Sequence, residues 1–135
     1  MKKDSAGFTF IEIIIALGLA ALLLPALGRA LSFSIRVASQ GEKFTQATAL
    51  AQQGMENVYA QKSQNWSLLS DGPTTTPFPP FTRTVTVSGV KRNLSGNIDS
   101  GGSTDPNTKF IQIVVFWPEV GGDQNVTLNS YVTNH

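Results

Sequence analysis

Gly7-Phe8-Thr9-Phe10-Ile11-Glu12-Ile13-Ile14-Ile15-Ala16-Leu17-Gly18-Leu19-Ala20-Ala21-Leu22-Leu23-Leu24-Pro25-Ala26-Leu27-Gly28 is an apolar run that carries one charge. A helix needs about 20 apolar residues to cross a bilayer core of roughly 30 Å, and Phe8 to Gly28 supplies them. Glu12 is out of place in such a segment. A carboxylate at membrane depth is costly, so residues of this kind usually have a partner and a function.

Working outward from this run, residues 1–7 form a short polar leader with Lys2 and Lys3. Positive charge is retained on the cytoplasmic side, which puts the N-terminus inside and everything after Arg29 outside. Pro25 lacks an N–H and crowds the carbonyl of Ala21, so a kink or local break of the helix is expected there.

From Arg29 to about Lys62 the pattern becomes amphipathic. Val37, Phe44, Ala47, Ala51, Met55 and Val58 recur at helical spacing, with Gln40, Glu42, Lys43, Gln46, Gln53 and Glu56 between them. One helix from Phe8 to about Lys62 would be on the order of 80 Å long. The segment from Gly72 to Pro80 holds four prolines and reads as a connector that cannot continue a helix.

Beyond it the period changes to two. In Phe81 to Val90, Val85 and Val87 alternate with Thr82, Thr84, Thr86 and Ser88, the pattern of a half-buried strand. Asn93 to Asn107 is rich in Gly, Ser, Asn and Asp and reads as a long loop. Phe110 to Trp117 is apolar on both faces, which suggests the centre of a sheet. Gly121-Gly122-Asp123 turns the chain, and Val126, Leu128 and Val132 alternate with polar residues in a final strand.

The fold class expected is therefore α+β. A long N-terminal helix, membrane-spanning in its first half and amphipathic in its second, packs on a small antiparallel sheet of about three or four strands. The divisions fall at residues 1–7 (leader), 8–28 (membrane helix), 29–63 (amphipathic helix) and 64–135 (connector and sheet). With 135 residues, one modest domain is expected outside the membrane.

Composition narrows the function classes. Ten Lys and Arg against nine Asp and Glu give a net charge of +1, and the basic residues are scattered without interleaved aromatics, so nucleic-acid binding is not expected. The chain has no cysteine, which excludes a disulfide framework, a thiol nucleophile and a thiolate metal site. Its single histidine, His135, ends the chain and supports neither a triad nor a histidine metal cluster. No constellation of nucleophile, base and orienting group is visible, so neither an enzyme nor a cofactor is expected.

The remaining candidate sites are minor. Asn97, Asp99, Asp105 and Asn107 could supply hard oxygen ligands, with Asp99 and Asp105 the weak metal candidates. Their spacing matches no EF-hand loop, and a solvated Asx-rich turn is the preferred reading. Glu119 and Asp123 flank a turn, where solubility explains them better than acid–base work. Trp117, at the end of an apolar strand, reads as core; Trp66 reads as core or as a partner contact. Arg29 and Arg36 could meet lipid phosphates or simply be solvated.

Gly7-Phe8-Thr9-Phe10-Ile11-Glu12, after a short basic leader and before a continuous helix, resembles the N-terminus of type IV prepilins and of the related pseudopilins of type II secretion. The motif covers about six residues; the architecture of helix, connector and antiparallel sheet extends the resemblance along the chain. It implies cleavage by a prepilin peptidase between Gly7 and Phe8, N-methylation of Phe8, and a role for Glu12 in processing and assembly. It also implies as partners other pilin or pseudopilin subunits, an inner-membrane assembly platform and lipid, and some pseudopilins bind calcium. The location implied is a single-pass inner-membrane protein and then a pilus or pseudopilus. Lack of a cysteine pair departs from major pilins that staple a C-terminal loop, and points mildly to a minor subunit.

Other readings of the same residues stay open. A secretory signal peptide would be cut near Gly28 to Ala30, and a plain anchor would keep Met1. A membrane-anchored adhesive or cargo-binding module would display the loop and the threonine rows of the sheet.

Overall fold

The computed structural model describes residues 9–134. Its elements are one helix, α1 (Phe10–Gln64), and four strands, β1 (Gly72–Phe78), β2 (Phe81–Arg92), β3 (Ser103–Trp117) and β4 (Gln124–Thr133). The strands form one antiparallel sheet in the order β1-β2-β3-β4. The α+β architecture expected from the sequence is the one observed.

By internal contacts the chain divides into two units, the first ending at Glu42 and the second beginning at Lys43. The described part of the first is helical from Phe10 onward and contributes no buried residue to α1. Every large apolar side chain from Phe10 to Val37 is at least 48% exposed. This helix is long and apolar enough to cross a membrane.

Helical assignment continues through Pro25, so the local break expected there does not occur. Proline deletes one donor, and the i→i−4 bonds of the adjoining turns carry the helix past it.

In the second unit, α1 buries Ala47, Ala51, Gly54, Met55 and Val58, a stripe at helical spacing. Three of these are small, and small side chains let the helix lie close to the sheet. A Cβ placed on Gly54 would come within 3.1 Å of Arg83 Cδ and 3.2 Å of Ile113 Cδ1. Val37 and Phe44, expected on the same stripe, are 50% and 57% exposed and do not belong to this core. The helix ends where Asn65 switches to an extended conformation and caps a short 3-10 turn, its Oδ1 accepting from Ser67 N at 3.0 Å.

The sheet answers with Phe81, Val87, Ile111, Ile113, Val115, Trp117 and Val132, all buried, together with Leu69 from the loop before β1. Ile111, Ile113 and Val115 are fully buried, each stabilising the fold by about 1.5–3 kcal/mol. Phe81 and Trp117 meet edge to face with centroids 5.7 Å apart. β3 lies inside the sheet, as its apolar content implies, but only one of its faces is buried: Phe116 is 37% exposed on the other.

Two further expectations need correction. The proline-rich stretch is not a connector; Gly72–Phe78 pairs with β2 as an edge strand. Pro73 and Pro77 are four residues apart, so both withhold an N–H on the same side, and an edge strand has one side that needs no donor. The loop expected at Asn93 to Asn107 is shorter, because β3 begins at Ser103. Register shifts between Gly89 and Val90, whose partners are Lys109 and Asp105, and Pro106 sits in the resulting irregularity. The β3–β4 turn uses Gly121 and Gly122 at φ of 110° and 130°, a region that favours glycine.

Candidate functional site

Of the residues singled out at the N-terminus, Gly7 and Phe8 lie outside the described residues. Glu12 lies in the first turn of α1. Thr9 is the N-cap: its carbonyl accepts from Glu12 N at 3.0 Å and Ile13 N at 3.3 Å. The Glu12 side chain turns back, and its Oε2 accepts from Thr9 N at 2.8 Å and from Thr9 Oγ1 at 2.9 Å. This is one half of a capping box, with Glu at the third helical position bonding the cap amide.

The arrangement has an electrostatic consequence. A carboxylate in the first turn meets the positive end of the helix dipole and one of the otherwise unsatisfied amides. Both bonds converge on Oε2, and Oε1 accepts from no described residue. Thr-x-x-Glu ahead of an apolar run is a legible signal for this cap, although attention to the charge alone passes over it.

The loop candidates are not brought together. Asp99 Oδ1 accepts from Gly101 N at 3.0 Å, a local Asx turn. Both oxygens of Asp105 are engaged elsewhere, Oδ2 by Arg92 Nε at 2.7 Å and Oδ1 by Asn107 N at 2.9 Å. Hydrogen bonds from Thr108, Arg92 and the Asn107 amide hold the Asp105 carboxyl down to about 2, from an ordinary 3.8. Asn97 donates its amide to Asn93 Oδ1 at 3.0 Å. Among the described residues no three His, Cys, Asp or Glu side chains converge on a point that could hold a metal.

Arg92 organises this region. Besides Asp105 it reaches the Gly96 carbonyl at 2.8 Å and Thr108 Oγ1 at 3.3 Å, so one guanidinium ties the loop to β3.

Glu119 has a defined role beyond solubility: Lys43 Nζ donates to its Oε2 at 2.7 Å, joining α1 to the residues after β3. That bond holds the Glu119 carboxyl below its ordinary 4.5. Trp117 is core at 4% exposure, as expected. Trp66 is half-buried; its Nε1 donates to the Pro106 carbonyl at 3.1 Å, and Lys109 Nζ lies 5.8 Å from its ring centroid. Lys109 also donates to the Leu69 carbonyl and pairs with Asp71 at 3.1 Å.

Arg83, one of the scattered basic residues and not among the expected sites, is 7% exposed. Its place was readable in one respect, since it shares the parity of Val85 and Val87 on the inward face of β2. Compared with protein-family profiles, with curated proteins and with solved structures, the chain has no match.

Proposed function

We propose that the chain is a minor pilin-like structural subunit, made as a single-pass inner-membrane protein with its N-terminus inside, cut after Gly7, and assembled through its helix into a type IV pilus or its initiating tip complex. The observation that carries this reading is the exposure of the apolar helix. The large apolar side chains from Phe10 to Val37, none of them buried, require lipid, neighbouring helices or both. Glu12 adds direction. Its Oε1 accepts from no described residue, and a cationic amino terminus of a neighbouring subunit is the partner that a carboxylate in lipid calls for.

In this reading the protein is a substrate of the prepilin peptidase and catalyses nothing itself; its work is packing and recognition. Mass spectrometry of the N-terminus, in cells with and without the peptidase, tests it. A methylated Phe8 that depends on the peptidase is expected, and an intact Met1 in both strains overturns the reading. A minor pseudopilin of type II secretion is the closest alternative, and location beside secretion or pilus genes separates the two.

A binding role is favoured by one observation of its own. On the sheet face opposite α1, Phe110 and Tyr131 lie 5.1 Å apart beside a groove of about 410 Å³ that includes Ile98 and Asp99. Deletion of residues 94–101 separates the roles: lost adhesion with intact filaments supports binding, and lost filaments support a structural role.

A further inference from the structure

The sheet has two edges, and they are finished differently. Asn134 N donates to the Asn107 carbonyl at 2.8 Å, which makes these two a hydrogen-bonded pair and fixes the parity of the ladder between β3 and β4. Even-numbered residues of β4 therefore turn their N–H and C=O to β3. The backbone groups of Asn125, Thr127, Asn129 and Tyr131 point outward, and no described strand lies beyond them.

The same alternation, carried through β3 and β2, turns Pro73, Thr75 and Pro77 outward at the β1 edge. Two of these three have no N–H to give, and an edge built this way resists a further strand. β4 has none of these guards: no proline, no charged side chain and no break in its register with β3.

Its inward face is also incomplete. Val126 and Leu128 are only half-buried at the margin of the core. Tyr59, whose hydroxyl lies 3.5 Å from Ser130 Oγ, brings α1 over β4 and is itself 44% exposed. A strand laid beyond β4 would cover these side chains and take up the outward N–H and C=O groups at once. Backbone groups repeating about every 7 Å along an edge match one kind of occupant, an extended chain.

A second copy does not fit this edge. Antiparallel pairing of β4 with itself relates the copies by a two-fold axis normal to the sheet. α1 crosses the sheet in its plane, meeting β2 through Leu50 and Arg83, β3 through Gly54 and Ile113, and β4 through Tyr59 and Ser130, so that axis reverses it end for end. Two chains held in one membrane by the residues ahead of Lys43 cannot be so related, an exclusion that rests on the membrane anchorage of the proposed function. The β1 edge of another copy is closed by its prolines.

We propose that β4 receives an extended segment of a different protein by strand addition. The segment is uncharged along the edge, because β4 offers no charge to pair with, and it is apolar at the alternate positions that face α1.

The test uses the full chain in the cells that make it. A photoreactive benzophenone amino acid replaces Asn129, exposed on β4, or Thr75, exposed on β1. The probe at 129 is expected to capture one protein other than the chain itself, and the probe at 75 is not. Adding Thr127→Pro, which removes no bond to β3, or Thr127→Lys is expected to lower the yield about tenfold or more, with tryptophan fluorescence checking that the sheet is folded. The captured segment, made as a synthetic peptide, is then added to the purified chain in nonionic detergent. It is expected to slow hydrogen exchange at the amides of Thr127, Asn129 and Tyr131. No capture, a second copy as the captured species, a yield indifferent to folded Thr127 variants, or a peptide that leaves those amides unprotected overturns the proposal. Mass spectrometry of the N-terminus in the same cells reads the subunit assignment separately, so the two failures are told apart.

Discussion

Thr9 N donates to Glu12 Oε2 at 2.8 Å, so the carboxylate at the head of the apolar helix is also its cap. The proposed intermolecular role falls on the same side chain as this local one, and the two differ in what they demand. Capping needs an oxygen in the right place, whereas pairing with an amino group across a subunit boundary needs the charge.

Glu12→Gln separates the two. A glutamine keeps an oxygen that can accept from Thr9 and loses the charge, so it should retain the first turn of α1 and fail in assembly. Glu12→Ala should remain processed and membrane-bound and assemble no better. Quantifying the protein in sheared filaments and in membranes checks both; full incorporation of Glu12→Gln would leave the cap as the only role.

Gly54 lies close against the sheet, where a Cβ would crowd Arg83 and Ile113. Valine there should destabilise the second unit by about 1–3 kcal/mol, because Ile113 is fully buried and cannot withdraw. Alanine should change stability less, since a helix-propensity gain of about 1 kcal/mol opposes the tighter contact. Denaturant unfolding followed by tryptophan fluorescence reads both variants.

Ile113→Ala should lose about 2–5 kcal/mol, the range for a large-to-small change at a fully buried site. The same truncation at Val37, 50% exposed and outside this core, should leave unfolding of the second unit nearly unchanged. Comparable losses at the two positions would contradict the assignment of the core.

The Asp105 carboxyl is lowered in the folded chain to about 2 from an ordinary 3.8. Its stabilisation is therefore whole above pH 3.8 and is lost as the pH falls from there through about 2. Glu119, lowered from 4.5 by Lys43, behaves with the same sign, losing its contribution as the pH falls below that value. Amide protection in residues 93–102, taken relative to the intrinsic exchange rate at each pH, should fall as the pH drops below 3.8, and Asp105→Asn should show the lower protection already at neutral pH.

Calcium should leave the unfolding midpoint unchanged, as should removal of divalent ions with a chelator. Asp105 spends both oxygens on Arg92 and Asn107, and Asp99 turns to Gly101. A calcium-dependent rise in the midpoint, removed by Asp99→Ala, would show that the loop rearranges around an ion.

Much of the chain is legible one residue at a time, because local patterns carry it. The apolar run and its single charge announce a membrane-length helix, and the change of period from 3.6 to 2 marks the passage to a sheet. Thr9-x-x-Glu12 is equally local, a capping signal within one turn. What the sequence alone could not decide depends on residues far apart. Pro73 and Pro77 look like breakers until β2 is found on one side of them and no described strand on the other. Asp105 reads as a solvated turn residue, at most a weak metal candidate, until Arg92 is found to pair with it. Arg83 looks like a solvated strand residue until Gly54, 29 positions earlier, opens the space that lets α1 cover it. Burial and pairing are properties of where two distant segments meet, and only the tertiary structure determines that meeting.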